Sequence, residues 1–142
     1  MEYVDIMVFI PFFSKKKIIY FMDEFLRDYV SSEEYYESPK YSSPIIFETE
    51  NFSEMWNFVL EKRGRSFTFY FENNKNETCP KAVIQINNDG STCLVLIASI
   101  DYEEQCKSDL IKAYPDEKCI VSHNFYFMPF SREDFEEGLR NS

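Results

Sequence analysis

Residues 66–100 constrain the fold more than any other stretch. Phe67, Phe69 and Phe71 alternate with Ser66, Thr68, Tyr70 and Glu72, the period of two expected of a strand with one buried face. Ala82, Ile84 and Ile86 alternate in the same way with Lys81, Gln85 and Asn87. Asn88-Asp89-Gly90-Ser91 comes next, and its Asp-Gly pair tolerates the positive φ of a type I′ turn, so it predicts a hairpin. Cys93–Ile100 is then almost continuously apolar. A strand buried on both faces reads that way, which places this one centrally in its sheet.

The flanking segments supply more strands and the helices to cover them. Val4–Ile10 is apolar and β-prone, and Pro11 ends it. Ser14 is placed to cap a helix in which Ile18, Met22, Phe25, Leu26 and Tyr29 recur at helical spacing as far as Val30. Lys15, Lys16 and Lys17 oppose the macrodipole at that end and argue for a later start. Ser31–Pro44 has no period, five serines and two prolines, and is expected to be a long functional loop. Ile45–Glu48 is a short strand candidate. Phe52, Met55, Trp56, Val59 and Leu60 share one side of a helix capped by Asn51 or Ser53, running to about Lys62 with Gly64 at its C-cap. Asp101, with Glu104 three residues on, fits a capping box for a helix to about Ala113, stopped by Pro115. Lys118–Tyr126 reads as a further strand. Ser131, with Asp134, caps a last helix whose Phe135 and Leu139 face the core. The order predicts a single α+β domain over residues 1–142: a mixed or antiparallel sheet of about five to six strands with helices packed on it.

Composition narrows the function. The formal charge is −10 and Gly numbers only three, which disfavours nucleic acid, anionic membrane and Gly-rich phosphate loops as partners or features. No apolar stretch is long enough to span a bilayer, and the lysines follow the first apolar run instead of preceding it as in a secretory signal. Cys79, Cys93, Cys106 and Cys119 form no C-x-x-C pair, so free buried thiols in a reducing cytoplasm are expected. The sequence has one histidine, His123, and no metal-ligand spacing, which predicts no metal and no cofactor. Strand periodicity puts Cys119, Val121, His123 and Phe125 on one face. Residues four apart on a strand are ~13 Å apart, beyond the reach of a Cys119–His123 dyad, and a core histidine is the plainer reading. The acids Glu133, Asp134, Glu136 and Glu137 sit near a helix start, where they suit the dipole.

The stretch most suggestive of function sets Tyr35, Tyr36 and Tyr41 among Glu33, Glu34 and Glu37, padded with serines. Tyrosine gives rigid contact area at low entropy cost and carboxylates pair with basic groups across an interface. Asp101, Glu103 and Glu104 form a second candidate patch.

From Lys81-Ala82-Val83-Ile84-Gln85-Ile86 through Asp89-Gly90 to Phe135-Glu136-Glu137-Gly138-Leu139, the chain resembles small bacterial immunity proteins, the acidic cytosolic antidotes encoded beside polymorphic and contact-dependent growth-inhibition toxins. The resemblance lies in the order of hairpin, helix, strand and closing helix. It matches no invariant motif, covers none of the first eighty residues, and carries over no contact residue. It implies a non-catalytic, monomeric or weakly dimeric protein that blocks a basic toxin domain, such as a nuclease, by occlusion. Two other readings stay open: an acidic mimic of nucleic acid that inhibits a DNA-binding enzyme, and an enzyme or small-ligand domain around His123 with Cys93 or Cys119.

Overall fold

The chain enters the sheet at its interior. Tyr3–Ile10 (β1) is flanked by Thr92–Ser99 (β8) on one side and Lys118–Ser122 (β9) on the other. The register with β8 runs from Tyr3↔Ser99 to Ile10↔Thr92, and that with β9 from Asp5↔Ser122 to Phe9↔Lys118. With Ser66–Glu72 (β6) and Lys81–Ile86 (β7), the order of the five long strands is β6-β7-β8-β1-β9, every neighbouring pair antiparallel. The computed structural model describes residues 2–31, 34–35, 37–38, 47–48, 57 and 66–122. The fold is α+β, an antiparallel sheet with two helices packed against it.

Lys15–Phe25 (α1) begins at Lys15 despite the three lysines, because the Ser14 side chain accepts the Lys17 backbone N–H at 3.2 Å and the Lys17 ammonium is drawn away to Glu117. It ends earlier than its apolar period predicts. Leu26 closes it with an N–H to the Met22 carbonyl at 3.1 Å, and Tyr29 then donates its N–H to the Leu26 carbonyl at 3.1 Å. The Tyr29 hydroxyl donates to the Cys79 carbonyl, fifty residues on, and Val30 pairs with Glu72. A long-range tether and a strand partner thus outweigh helical propensity over the last five residues, Leu26 to Val30.

The stretch Ser31–Pro44, expected to be a long functional loop, lies partly in strands. Val30–Ser31 (β2) and Glu37–Ser38 (β4) both pair along β6, and Glu34–Tyr35 (β3) pairs with Phe47–Glu48 (β5). Pairings of two residues carry no alternation, so no period announces them. The helix expected between Asn51 and Lys62 lies outside the described residues except for Asn57, which is helical. Gly64, His123, the rest of the strand expected to Tyr126, and the helix expected from Ser131 also lie outside them.

The second helix, Glu103–Ala113 (α2), starts one residue later than a cap at Asp101 requires. The Ile100 N–H donates to the Glu2 carbonyl at 3.0 Å and Ile100–Tyr102 forms a 3-10 turn. Tyr102 becomes the N-cap, with no side-chain bond to the helix, so the capping box does not form. The helix ends as predicted at Tyr114 before Pro115. β8 and β9 run in the same direction on either side of β1, and α2 makes the crossing between them.

The hairpin between β7 and β8 forms where predicted, with a different turn. The Gly90 N–H reaches the Asn87 carbonyl at 2.9 Å and the Asn87 N–H reaches the Ser91 carbonyl at 2.8 Å. Within this turn only Gly90 has positive φ, at 88°, whereas a type I′ turn needs it at both central residues. The loop is therefore three residues, Asn88 to Gly90, with glycine in the left-handed position.

Alternate residues of the strands build two cores. On the face covered by the helices, Val4, Ile6, Val8 and Ile10 of β1 and Leu94, Leu96 and Ala98 of β8 pack with Ile18 and Phe21 of α1 and Leu110 of α2. Phe67, Phe69 and Phe71 join them, as their alternation predicts. On the opposite face Met7, Phe9, Val83, Cys93, Val95 and Ile120 form a smaller cluster. β8 is accordingly central and apolar on both sides.

Candidate functional site

Three of the nine residues singled out for partner binding have described side chains. Asp101 and Glu104 are exposed and Glu103 is half-buried, all at the start of α2. Glu34, Tyr35 and Glu37 are placed by backbone pairing alone, Glu34 and Tyr35 on β3 and Glu37 on β4, while Glu33, Tyr36 and Tyr41 lie outside the described residues. The structure adds two residues to the Asp101 patch that the sequence reading passed over. Ile100 is 39% exposed and Tyr102 is 42% exposed. The 3-10 turn explains this: it bulges the chain off the end of β8 before α2 begins, so the side chains that follow the apolar strand no longer reach the core. The result is an aliphatic and an aromatic side chain beside three carboxylates, a surface suited to a partner that is both apolar and cationic.

A second feature lies at the other end of α2. A cleft of about 450 Å³ opens between α1 and the chain leaving α2. Its apolar lining is Ile19 and Tyr20 from α1 with Ala113, Tyr114 and Pro115 from the end of α2. Tyr20 and Tyr114 meet edge to face with ring centroids 5.9 Å apart, the Tyr114 hydroxyl donates to the Lys17 carbonyl at 2.7 Å, and Lys17 pairs with Glu117. These contacts fix the two walls relative to each other. Lys16, Asp23 and Asp116 also line the cleft. Sequence reasoning missed it because its halves are about ninety residues apart; the one available signal was that Ile19 and Tyr20 fall off the core stripe of α1.

The cysteines are free, and burial pushes every thiol up from its ordinary value, Cys79 to about 12. Cys119 is half-buried with Lys107 nearby, yet burial outweighs the lysine, and the other three thiols are buried. Cys93 belongs to the second face, whereas Cys119 and Val121 pack on the first, so the two thiols considered beside His123 point to opposite sides of the sheet. Among the described residues, no group of His, Cys, Asp or Glu could hold a metal ion, and no helix is long and apolar enough to cross a membrane.

Asp5 is the anomaly. It lies on the second face, is 5% exposed, and its Oδ2 has no hydrogen-bond partner. Burial alone raises its pKa to about 6 from an ordinary value of 3.8. Comparison of the chain with protein-family models, with curated proteins and with solved structures finds no match, so the reading of function rests on these surfaces.

Proposed function

We propose that this chain is a non-catalytic binding protein that neutralises a basic protein partner by covering it, in the manner of an immunity protein blocking its cognate toxin domain in the cytoplasm. The observation that carries the reading is the exposure of Ile100 and Tyr102 next to Asp101, Glu103 and Glu104 along the chain. Exposed apolar side chains next to charge of one sign mark an interaction surface better than either feature alone. The overall charge of −10 speeds encounter with a cation and repels nucleic acid. The raised thiol pKa values give a cysteine nucleophile no support.

The test is affinity capture of the partner, its identification, and calorimetry on the purified pair at two salt concentrations. The expected result is a one-to-one complex with a basic protein, weaker at higher salt. The Asp101→Lys/Glu104→Lys double variant should lose at least tenfold in affinity, since like charges set against each other across an interface repel. Affinity unchanged in that variant, or an acidic partner, overturns the reading.

A further inference from the structure

We infer that the cleft between α1 and the end of α2 is a socket for a partner's side chain, an aromatic residue next to a lysine or arginine. The inference rests on the reading of a cationic protein partner and adds where and how that partner is held.

The cleft's volume of about 450 Å³ is within the range of sites that enclose a large side chain or small ligand. Tyr20 is 45% exposed at its mouth, yet its ring is held by the edge-to-face contact with Tyr114. An exposed aromatic ring already fixed in place offers area for stacking at little entropic cost. The charges around it favour a cation. Lys17 is neutralised by Glu117, which leaves Lys16 opposed by Asp23 and Asp116; neither of these carboxylates has an ion-pair partner among the described residues. The occupant therefore stacks an apolar ring on Tyr20 and sets its positive charge against Asp23 and Asp116.

The position of the cleft agrees with the proposed patch. α2 has eleven residues, so its two ends are about 16 Å apart at 1.5 Å per residue. One partner surface of standard size spans that distance. Tyr102 and the carboxylates at the start of the helix and the cleft at its end are separated by no more than that distance along the helix.

The probe is the tripeptide Ac-Lys-Trp-Lys-NH2, titrated into the full-length protein by heteronuclear NMR, with Ac-Glu-Trp-Glu-NH2 as the control. Saturable shifts are expected at the amides of Ile19, Tyr20, Ala113 and Tyr114 with the basic peptide, and a dissociation constant at least fivefold weaker with the acidic one. Tyr20→Ala should weaken the basic peptide at least fivefold. Asp23→Asn/Asp116→Asn should abolish the preference for the basic peptide while the spectrum stays folded. No shift at these amides at millimolar peptide overturns the inference, as does equal binding of both peptides. Shifts at the same amides on raising protein concentration alone also overturn it, because a second copy then fills the cleft. The peptide assay does not involve the partner, so its failure withdraws the socket and leaves the Asp101 patch standing, whereas a failed capture experiment with intact peptide binding withdraws the patch.

Discussion

The two faces of the sheet solve the burial problem differently. The first face is closed by α1 and α2 and holds aliphatic and aromatic side chains from every long strand. The second face buries polar groups among its apolar ones. Thr68 donates to the Gln85 side-chain carbonyl, Gln85 Nε2 donates to Asn87 Oδ1 at 3.2 Å, and Asn87 Nδ2 donates to the Ser91 hydroxyl at 3.1 Å. At the other end of that face Asp5 is buried with one oxygen unpartnered. Each donor and acceptor in the Thr68–Asn87 chain finds a partner, so its desolvation is offset; Asp5 Oδ2 has none, so its desolvation is not. The first face supplies stability through area, and the second offsets the cost of its polar groups by pairing them, except at Asp5.

The largest expected effect breaks the first face. Phe21 has no exposed surface and packs on Phe25 with ring centroids 5.4 Å apart. Phe21→Ala should cost roughly 3–5 kcal/mol in urea unfolding, from lost area and the cavity left behind. That is a large part of the total stability of about 5–15 kcal/mol for a domain. A loss below about 1 kcal/mol would mean that α1 is a surface addition and the two faces do not differ as described.

Asp5 sharpens the contrast with the opposite sign. Its folded pKa of about 6 lies above the ordinary 3.8. The folded state therefore binds the proton more tightly than the unfolded chain. The stability that the neutral carboxyl contributes is full below pH 3.8 and is lost as pH rises through about 6. Ionised Asp5 then costs on the order of 3 kcal/mol at pH 7. Asp5→Asn removes the charge while keeping the shape, and should raise stability at pH 7 by about 1–3 kcal/mol. The gap between the two proteins should close between pH 6 and pH 4, measured by thermal melts of both across that range. The other carboxylates titrate alike in both proteins and cancel in the difference. A gap that is the same at pH 4 and pH 7 would show that ionisation is not its cause.

How much of this was legible in the sequence follows from the range of the interactions involved. The β6–β7–β8 meander was readable from Phe67, Phe69 and Phe71, from Ala82, Ile84 and Ile86, and from the apolar run after Gly90, because period and turn chemistry are local. The end of α1 and the start of α2 were not, since the Tyr29 tether to Cys79 and the Ile100 bond to the Glu2 carbonyl join residues far apart in the chain. Thr68 and Gln85 are the polar members of alternating strands, and only the tertiary structure shows them, and Asp5, buried. For the candidate site, the acids at Asp101, Glu103 and Glu104 were visible and their apolar neighbours were not recognised. Ile100 was read as the last residue of an inward-facing strand, and the 3-10 turn turns it outward. The cleft left one trace in the sequence, the apolar Ile19 and Tyr20 off the core stripe of α1, and nothing local joins them to the far half at Ala113–Pro115.

The smallest effect tests whether pairing is what lets the second face hold polar groups. Thr68 and Gln85 sit opposite each other in register and both are buried. Thr68→Val keeps the volume and removes the donor, leaving the Gln85 side-chain oxygen buried without the hydrogen bond that Thr68 supplies. The cost should be about 1–2 kcal/mol, the penalty for one orphaned neutral acceptor. Replacing both, Thr68→Val with Gln85→Leu, removes that orphan but also removes the bond from Gln85 to Asn87 Oδ1. The double variant should therefore recover part of the loss and not all of it, with a coupling energy read directly from the cycle. Full additivity of the two single variants would mean that Thr68 and Gln85 do not depend on each other. The second face would then tolerate polar side chains for some reason other than their pairing, and Asp5 would no longer stand apart from them.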